Sequence, residues 1–184
     1  MMQYESGIVG KWLAMLKEIA PRLSRVAFVA NPKFRGLYDY FLRFAQAAAS
    51  ALAIELIPTL ISNDAADIER SIESFARMPD GGLLMVPDAT IVAHRDLVIA
   101  LAAQHRLPAV YPWRFFVTAG GLMSYGIDNV AKYQNAASYV DRILHGAKPA
   151  ELPVQAPTKY ETAVNLKTAK AWFGRTAVVT PERR

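Results

Sequence analysis

Asp88 is the carboxylate best placed for chemistry in this sequence. It follows the apolar run Leu83-Leu84-Met85-Val86 and Pro87, and it precedes Ala89-Thr90. A carboxylate after the third strand is where a phosphate-accepting receiver domain keeps its nucleophile. That chemistry also needs acidic metal ligands near the first strand and a lysine after the fifth. The corresponding stretches read Asn31-Pro32 and Ser124-Tyr125, so the receiver reading fails. The three histidines, His94, His105 and His145, are far apart and fall on helices or near their ends, which suits surface or helix-end roles. No glycine-rich phosphate loop, nucleophile elbow or paired-histidine zinc motif occurs. Cysteine is absent, which removes disulfides, thiolate metal sites and cysteine nucleophiles. The sequence thus predicts a non-enzyme with no catalytic residue, no metal site and no cofactor.

What remains suits holding a molecule rather than transforming it. Asn31, Asp88, Tyr111, Ser124 and Tyr125 bring together small polar side chains, one carboxylate and aromatic rings. Such a set fits a small polar or zwitterionic ligand, with Asp88 facing an amine and rings covering an apolar part. The competing reading makes Asp88 a cap for the following helix and packs Tyr111 against a loop. Two rival functions stay open: an effector-sensing regulatory domain of repressor type, and an α/β enzyme using Asp88. The first is weakened because no DNA-binding helix pair precedes the domain, the second because catalytic partners are missing.

These five residues can meet only if the elements between them form an open sheet. Val9, Trp12, Leu13, Leu16 and Ile19 recur at helical spacing before Pro21, and Arg25 to Ala30 reads as a buried strand closed by Asn31-Pro32. Leu37, Phe41, Phe44, Ala45, Ala48 and Leu52 mark a second helix. Ile54 to Ile61 is a strand that Pro58 demotes to an edge. Asn63 or Asp64 caps a third helix carrying Ile68, Ile72 and Phe75. Gly81-Gly82 opens a third strand and Gly120-Gly121 a fifth, both as turns at the inactive end of the sheet. Between them lie a helix with Ala93, Leu97, Ala100 and Leu101 inward and a brief strand, Ala109-Val110-Tyr111. Strands alternating with helical connections predict a doubly wound α/β fold with a parallel sheet ordered 2-1-3-4-5. Ligands bind such sheets beyond the carboxyl ends of the strands, near the reversal of strand order. Here those ends are Asn31-Pro32-Lys33, Pro87-Asp88-Ala89-Thr90, Tyr111-Pro112-Trp113 and Ser124-Tyr125-Gly126.

Beyond residue 128 the pattern changes. The helix from Asn129 to His145 carries one apolar stripe of Val130, Tyr133, Ala137, Val140 and Leu144, and a second of Ala136, Tyr139 and Ile143. Two stripes call for neighbours on more than one side, and one sheet supplies one of them. The division expected is therefore 8–128 as an α/β lobe, 129–171 as a crossover helix and returning segment, and 172–184 as a divergent, disordered tail. Tyr160 to Asn165 alternates weakly as a possible extra strand. One stripe left uncovered predicts self-association.

The chain has 184 residues, 53% hydrophobic and 20% charged, enough for one large domain and too apolar for disorder. Residues 1–129 hold 12 basic and 12 acidic side chains and residues 130–184 hold 9 and 4, so the net +5 lies in the last third. Before Arg183-Arg184 those basic residues are scattered singly, without the stripe and interleaved aromatics that nucleic acid requires. No run is long and apolar enough for direct membrane insertion. The first residues lack the basic and apolar regions of a signal peptide, which predicts a cytoplasmic protein as written.

Several runs carry a family likeness. Gly10-Lys11-Trp12-Leu13, Leu16-Lys17-Glu18-Ile19-Ala20-Pro21, Gly120-Gly121-Leu122-Met123-Ser124-Tyr125-Gly126, Tyr139 to Pro149 and Asn165-Leu166-Lys167-Thr168-Ala169-Lys170-Ala171 resemble the ABC transporter substrate-binding protein family of periplasmic-binding type I, tryptophan-type solute binders included. The likeness covers nearly all of residues 8–171. It implies a small-molecule solute, held between two lobes that close by hinge motion, and an ABC permease that receives the closed form. It implies a periplasmic setting. It also implies a missing amino-terminal lobe, so that this chain corresponds to a carboxy-terminal lobe, a truncated form whose five site residues would line a shallow open groove.

Overall fold

The first strand explains the architecture. Arg25–Ala30 is buried along its whole length, and its side chains divide strictly by parity: Val26, Phe28 and Ala30 enter one apolar cluster, Ala27 and Val29 the other. A strand with both faces covered must be central, with helices above and below. The computed structural model, which describes residues 7–153 and 159–173, has that arrangement. The expectations for 154–158 and for the tail from residue 174 lie outside the described residues.

In chain order the elements are α1 (Ile8–Ile19), β1 (Arg25–Ala30), α2 (Arg35–Ala51), β2 (Glu55–Leu60), α3 (Ala65–Ala76), β3 (Gly81–Met85), α4 (Ala89–Ala93), α5 (Arg95–Gln104), β4 (Ala109–Tyr111), α6 (Arg114–Thr118), β5 (Met123–Ile127), α7 (Asn129–Leu144), β6 (Tyr160–Val164) and α8 (Leu166–Phe173). The sheet runs β2-β1-β3-β4-β5-β6. Strands β1 to β5 are parallel, in the order the alternating pattern predicts, and β2 takes the edge that Pro58 requires. Within the weakly alternating stretch, Tyr160–Val164 is a sixth strand, antiparallel to β5 with Tyr125 opposite Thr162.

One layer is built by α1, α2 and Ala169 of α8 over Val26, Phe28, Leu84, Val110 and Met123. The other is built by α3, α4, α5 and α6 over Ala27, Val29, Leu83, Met85 and Tyr111. Trp12 of α1 is fully buried, and its indole N–H donates to the Tyr125 carbonyl at 2.6 Å, locking α1 to β5. Asp64 caps α3 by accepting from the Ala66 N–H, as the sequence suggests.

Two local expectations are corrected. The stretch after β3 is two helices, broken at His94, and α5 buries Val98, Ile99, Leu101 and Ala102, leaving Ala93 and Ala100 exposed. Leu97 and Leu101 do pack inward, so the expected face holds for α5 at these two positions and fails at Ala93 and Ala100. Gly81 and Gly82 are the first residues of β3 itself rather than a turn. A Cβ on Gly82 would stand 2.5 Å from Leu23 Cδ1 and 3.0 Å from the Pro108 carbonyl oxygen, so close packing demands glycine there. The Asn165 run is a helix cap. Asn165 Oδ1 accepts from the Thr168 N–H at 3.1 Å while its amide donates to the Val117 carbonyl at 3.2 Å, fastening α8 to α6.

Candidate functional site

Between β1 and β3 the strand order reverses, and their carboxyl ends open the crevice where such sheets take ligands. Asn31 leaves β1 at this point and is 3% exposed. Its backbone N–H donates to Asp88 Oδ2 at 3.3 Å and its side-chain amide donates to Thr90 Oγ1 at 2.8 Å. Its Oδ1 accepts from the Lys33 N–H at 2.9 Å, which bends the chain into the turn Pro32–Phe34. Asp88 is 6% exposed, and its Oδ1 accepts from the Thr90 N–H at 2.6 Å as the cap of α4. The capping alternative is therefore realised at Asp88. The carboxylate has two oxygens with about four lone-pair sites, so these two bonds leave acceptor capacity for a further donor.

Tyr111 ends β4 directly opposite Ser124 of β5, and both side chains enter the α3–α6 layer. Tyr111 is 1% exposed and stacks on Phe116 at 4.9 Å and 10°. Gly121 makes room for it, since a Cβ there would lie 2.7 Å from the tyrosine ring. The Tyr111 hydroxyl and Ser124 Oγ are both buried without a hydrogen-bond partner among the described residues. Burial pushes the Tyr111 phenol well above its ordinary 10.0. Tyr125, one residue on, points to the opposite face, as strand geometry requires. There it is half-buried, stacks on Tyr160 at 5.6 Å and lies under the Lys11 ammonium at 5.6 Å.

The structure thus joins Asn31 to Asp88, sets Tyr111 beside Ser124, and parts Tyr125 from both pairs. Asn31, Asp88, Tyr111 and Ser124 are buried behind the rim and do not line an open groove. The helices that follow β3 and β4 begin at once and cap those strand ends.

An aromatic ledge joins the rim beyond β4. Trp113 is half-buried, Phe115 is 37% exposed, and their rings stack at 5.6 Å. Phe116 backs them at 6.2 Å from Trp113 and 4.8 Å from Phe115, continuing the stack to Tyr111. Sequence reasoning names the stretch holding Trp113 without singling it out, and it passes over Phe115. The signal available is the run Tyr111-Pro112-Trp113-Arg114-Phe115-Phe116, whose aromatic density exceeds what one core position needs. Arg114 points away, to Glu161 of β6 at 3.0 Å.

A cleft of about 350 Å³ lies at the other end of the sheet, among the segments leading into β1, β3 and β4. Arg22, Asp80, His105, Arg106, Trp172 and Phe173 are among its walls. Among the described residues no group of three metal-ligating side chains converges, and no helix is long and apolar enough to cross a membrane.

A family profile described as ABC transporter substrate binding protein matches residues 6–182. No curated protein matches the chain. Among solved structures, a conserved domain protein from Vibrio cholerae O1 biovar El Tor is 23% identical with a TM-score of 0.78, over 90% of this chain and 55% of that one. An ABC domain in complex with L-Trp from Streptococcus pneumoniae is 17% identical with a TM-score of 0.73, over 92% of this chain and 57% of that one. A substrate-binding protein with adhesive properties from Clostridium difficile, in its ligand-free open form, is 20% identical with a TM-score of 0.68, over 93% and 56%. At these identities the likeness speaks for the fold. The chain spans little more than half the length of each.

Proposed function

This chain belongs to the ABC transporter substrate-binding protein family, and from that premise we propose that it supplies one solute-binding lobe, residues 8–128, with 129–171 as its crossover and returning segment. The solute is a small amino acid-like molecule with an apolar or aromatic side chain, taken at the carboxyl ends of β1, β3, β4 and β5. The proposal includes a small-molecule solute and an ABC permease as partners, which the family description supports. A periplasmic or extracellular setting, a second lobe and the identity of the solute belong to the proposal.

The observation that supports this reading is the pairing, at one rim, of a polar knot with an aromatic ledge. Asn31 and Asp88 hold the reversal point, where the carboxylate keeps acceptor capacity for an ammonium group. Trp113 and Phe115 offer ring faces next to it, on the neighbouring strand end. Ser124 and Tyr111 form the floor beneath. Tyr125 contributes through the β5 end and its contact with α1. The L-Trp complex among the structural relatives agrees in chemistry with such a site.

Isotope-labelled protein titrated with a panel of amino acids tests this directly. Binding should move the backbone amides of Asn31, Asp88–Thr90, Trp113 and Gly126, and calorimetry should rank aromatic above acidic amino acids. Shifts confined to the opposite end of the sheet, or none at millimolar ligand, would refute the rim.

A further inference from the structure

The turns leading into β1, β3 and β4 frame the cleft of about 350 Å³ at the amino ends of the strands, and Trp172 and Phe173 of α8 supply a further wall. Pockets that take small ligands begin at about this size. A lobe closing on the rim meets the other ends of these strands. Ile19 of α1 lines the cleft, and the start of that helix is about 16 Å away at 1.5 Å per residue. The cleft is charged, and its charges are unspent. Arg22 follows α1 and Arg106 follows α5, and neither guanidinium makes a hydrogen bond or an ion pair among the described residues. Cations gather at helix ends to serve the last carbonyls, but several of those carbonyls already have partners here. The Leu16 carbonyl accepts from the Ala20 N–H at 3.0 Å, and those of Ala102 and Ala103 accept from the Leu107 and Arg106 N–H groups at 2.9 and 3.2 Å. Lys17 serves the first turn instead, donating to the Leu23 carbonyl at 2.6 Å. Asp80 is the one carboxylate on the walls, against two guanidinium groups. His105 adjoins Arg106 and buries its Nε2 without a partner among the described residues. Trp172 and Phe173 are half-buried, with rings 6.5 Å apart at 65°, and form the apolar side.

We propose that this cleft is a second ligand site, which takes a planar aromatic anion. The acidic group lies between Arg22 and Arg106, where a guanidinium presents paired N–H donors to two oxygens. The ring lies against Trp172 and Phe173. Each half of such a ligand is needed. A small anion without a ring gains the arginines alone, and a ring without charge gains the aromatic wall alone. An amine meets two like charges for one opposite charge, that of Asp80. The site shares no residue with the rim, so it stands or falls independently of the solute reading.

The three tryptophans stand in three places, Trp12 in the core, Trp113 at the rim and Trp172 in the cleft, so their indole N–H resonances locate a ligand. In the full chain, 2-naphthoate should shift the Trp172 indole and the Arg106 backbone amide saturably at millimolar concentration or below, leaving Trp12 in place. Acetate, and 2-naphthalenemethanol with the same ring and no charge, should each bind at least about tenfold more weakly. Arg106 is held at φ 51°, the left-handed conformation that favours glycine. Arg106→Gly should therefore keep or raise the melting temperature while weakening naphthoate at least about fivefold, which separates the site from the fold. Arg22→Gln should weaken it likewise, and Arg142→Gln on α7 should leave it unchanged. The absence of a saturable shift at Trp172, as would follow if residues beyond Phe173 fill the cleft, overturns the proposal. So do equal binding of the uncharged alcohol, affinity that neither arginine variant alters, or shifts at Trp113 alone, which would place the ligand at the rim.

Discussion

At the scale of single residues, the rim is held by hydrogen bonds whose loss has a calculable direction. Asp88 serves two donors at once, the Thr90 N–H and the Asn31 N–H. Asp88→Ala removes a helix cap and strands a buried N–H, and should cost about 1–3 kcal/mol in urea denaturation. Tyr111 behaves oppositely. Its hydroxyl is buried without a partner, so Tyr111→Phe removes an unsatisfied group while keeping the ring stack on Phe116. The variant should be as stable as the parent or more so, by up to about 1 kcal/mol, which is roughly 2–4 °C in thermal midpoint at this size. Alkaline pH sharpens the contrast. The folded phenol titrates above its ordinary 10.0. Stability is therefore whole below that value and falls as pH rises beyond it, because the unfolded chain gives up the proton that the folded chain retains. The gap in stability between variant and parent should widen above pH 10 in paired melts. A gap independent of pH would contradict the buried phenol.

Among the elements, burial sets α7 apart from the central strands. Every residue of β1 and β3 is buried, and no residue of α7 is. Local opening of α7 exposes little apolar surface, so its amides should exchange with deuterium at least about a hundredfold faster than those of β1. Equal protection in dilute solution would mean that something covers the helix. The link between α6 and β5 is tight instead. Gly121→Ala would drive a Cβ into the Tyr111 ring at 2.7 Å and against the Phe116 carbonyl oxygen at 2.9 Å. The cost should be about 1–3 kcal/mol by chemical denaturation, since neither neighbour is a free chain end that could swing away.

For the whole molecule, the two apolar layers share one sheet. Alternate side chains of β1, β3 and β4 belong to opposite layers, so neither layer can loosen without exposing the back of the other. Unfolding followed by far-ultraviolet circular dichroism and by tryptophan fluorescence should give one coincident transition, with Trp12 in one layer, Trp113 against the other and Trp172 against both. Two separated midpoints would show layers that come apart independently. The same sheet brings the β1, β3, β4 and β5 ends to one rim, and the family profile covers residues 6–182. The solute reading depends on that shared rim.

How much of this was legible beforehand follows from which forces are local. Strand parity, the edge position forced by Pro58, the Asp64 cap and the parallel order all rest on periodicity, proline chemistry and crossover handedness, and the residues display them directly. The two apolar stripes of α7 are equally plain in the residues. Only tertiary structure decided which side chains share a site. Asp88 and Asn31 are far apart in sequence and are bonded. The break at His94 divides the helix after β3 and leaves Ala93 and Ala100 exposed, while Leu97 and Leu101 pack inward. Burial at the β1 end was settled by the bonds from Asn31 to Asp88 and Thr90, contacts between distant segments that no local pattern encodes. Sequence specifies which residues prefer the interior; the packing of whole elements decides whom they meet there.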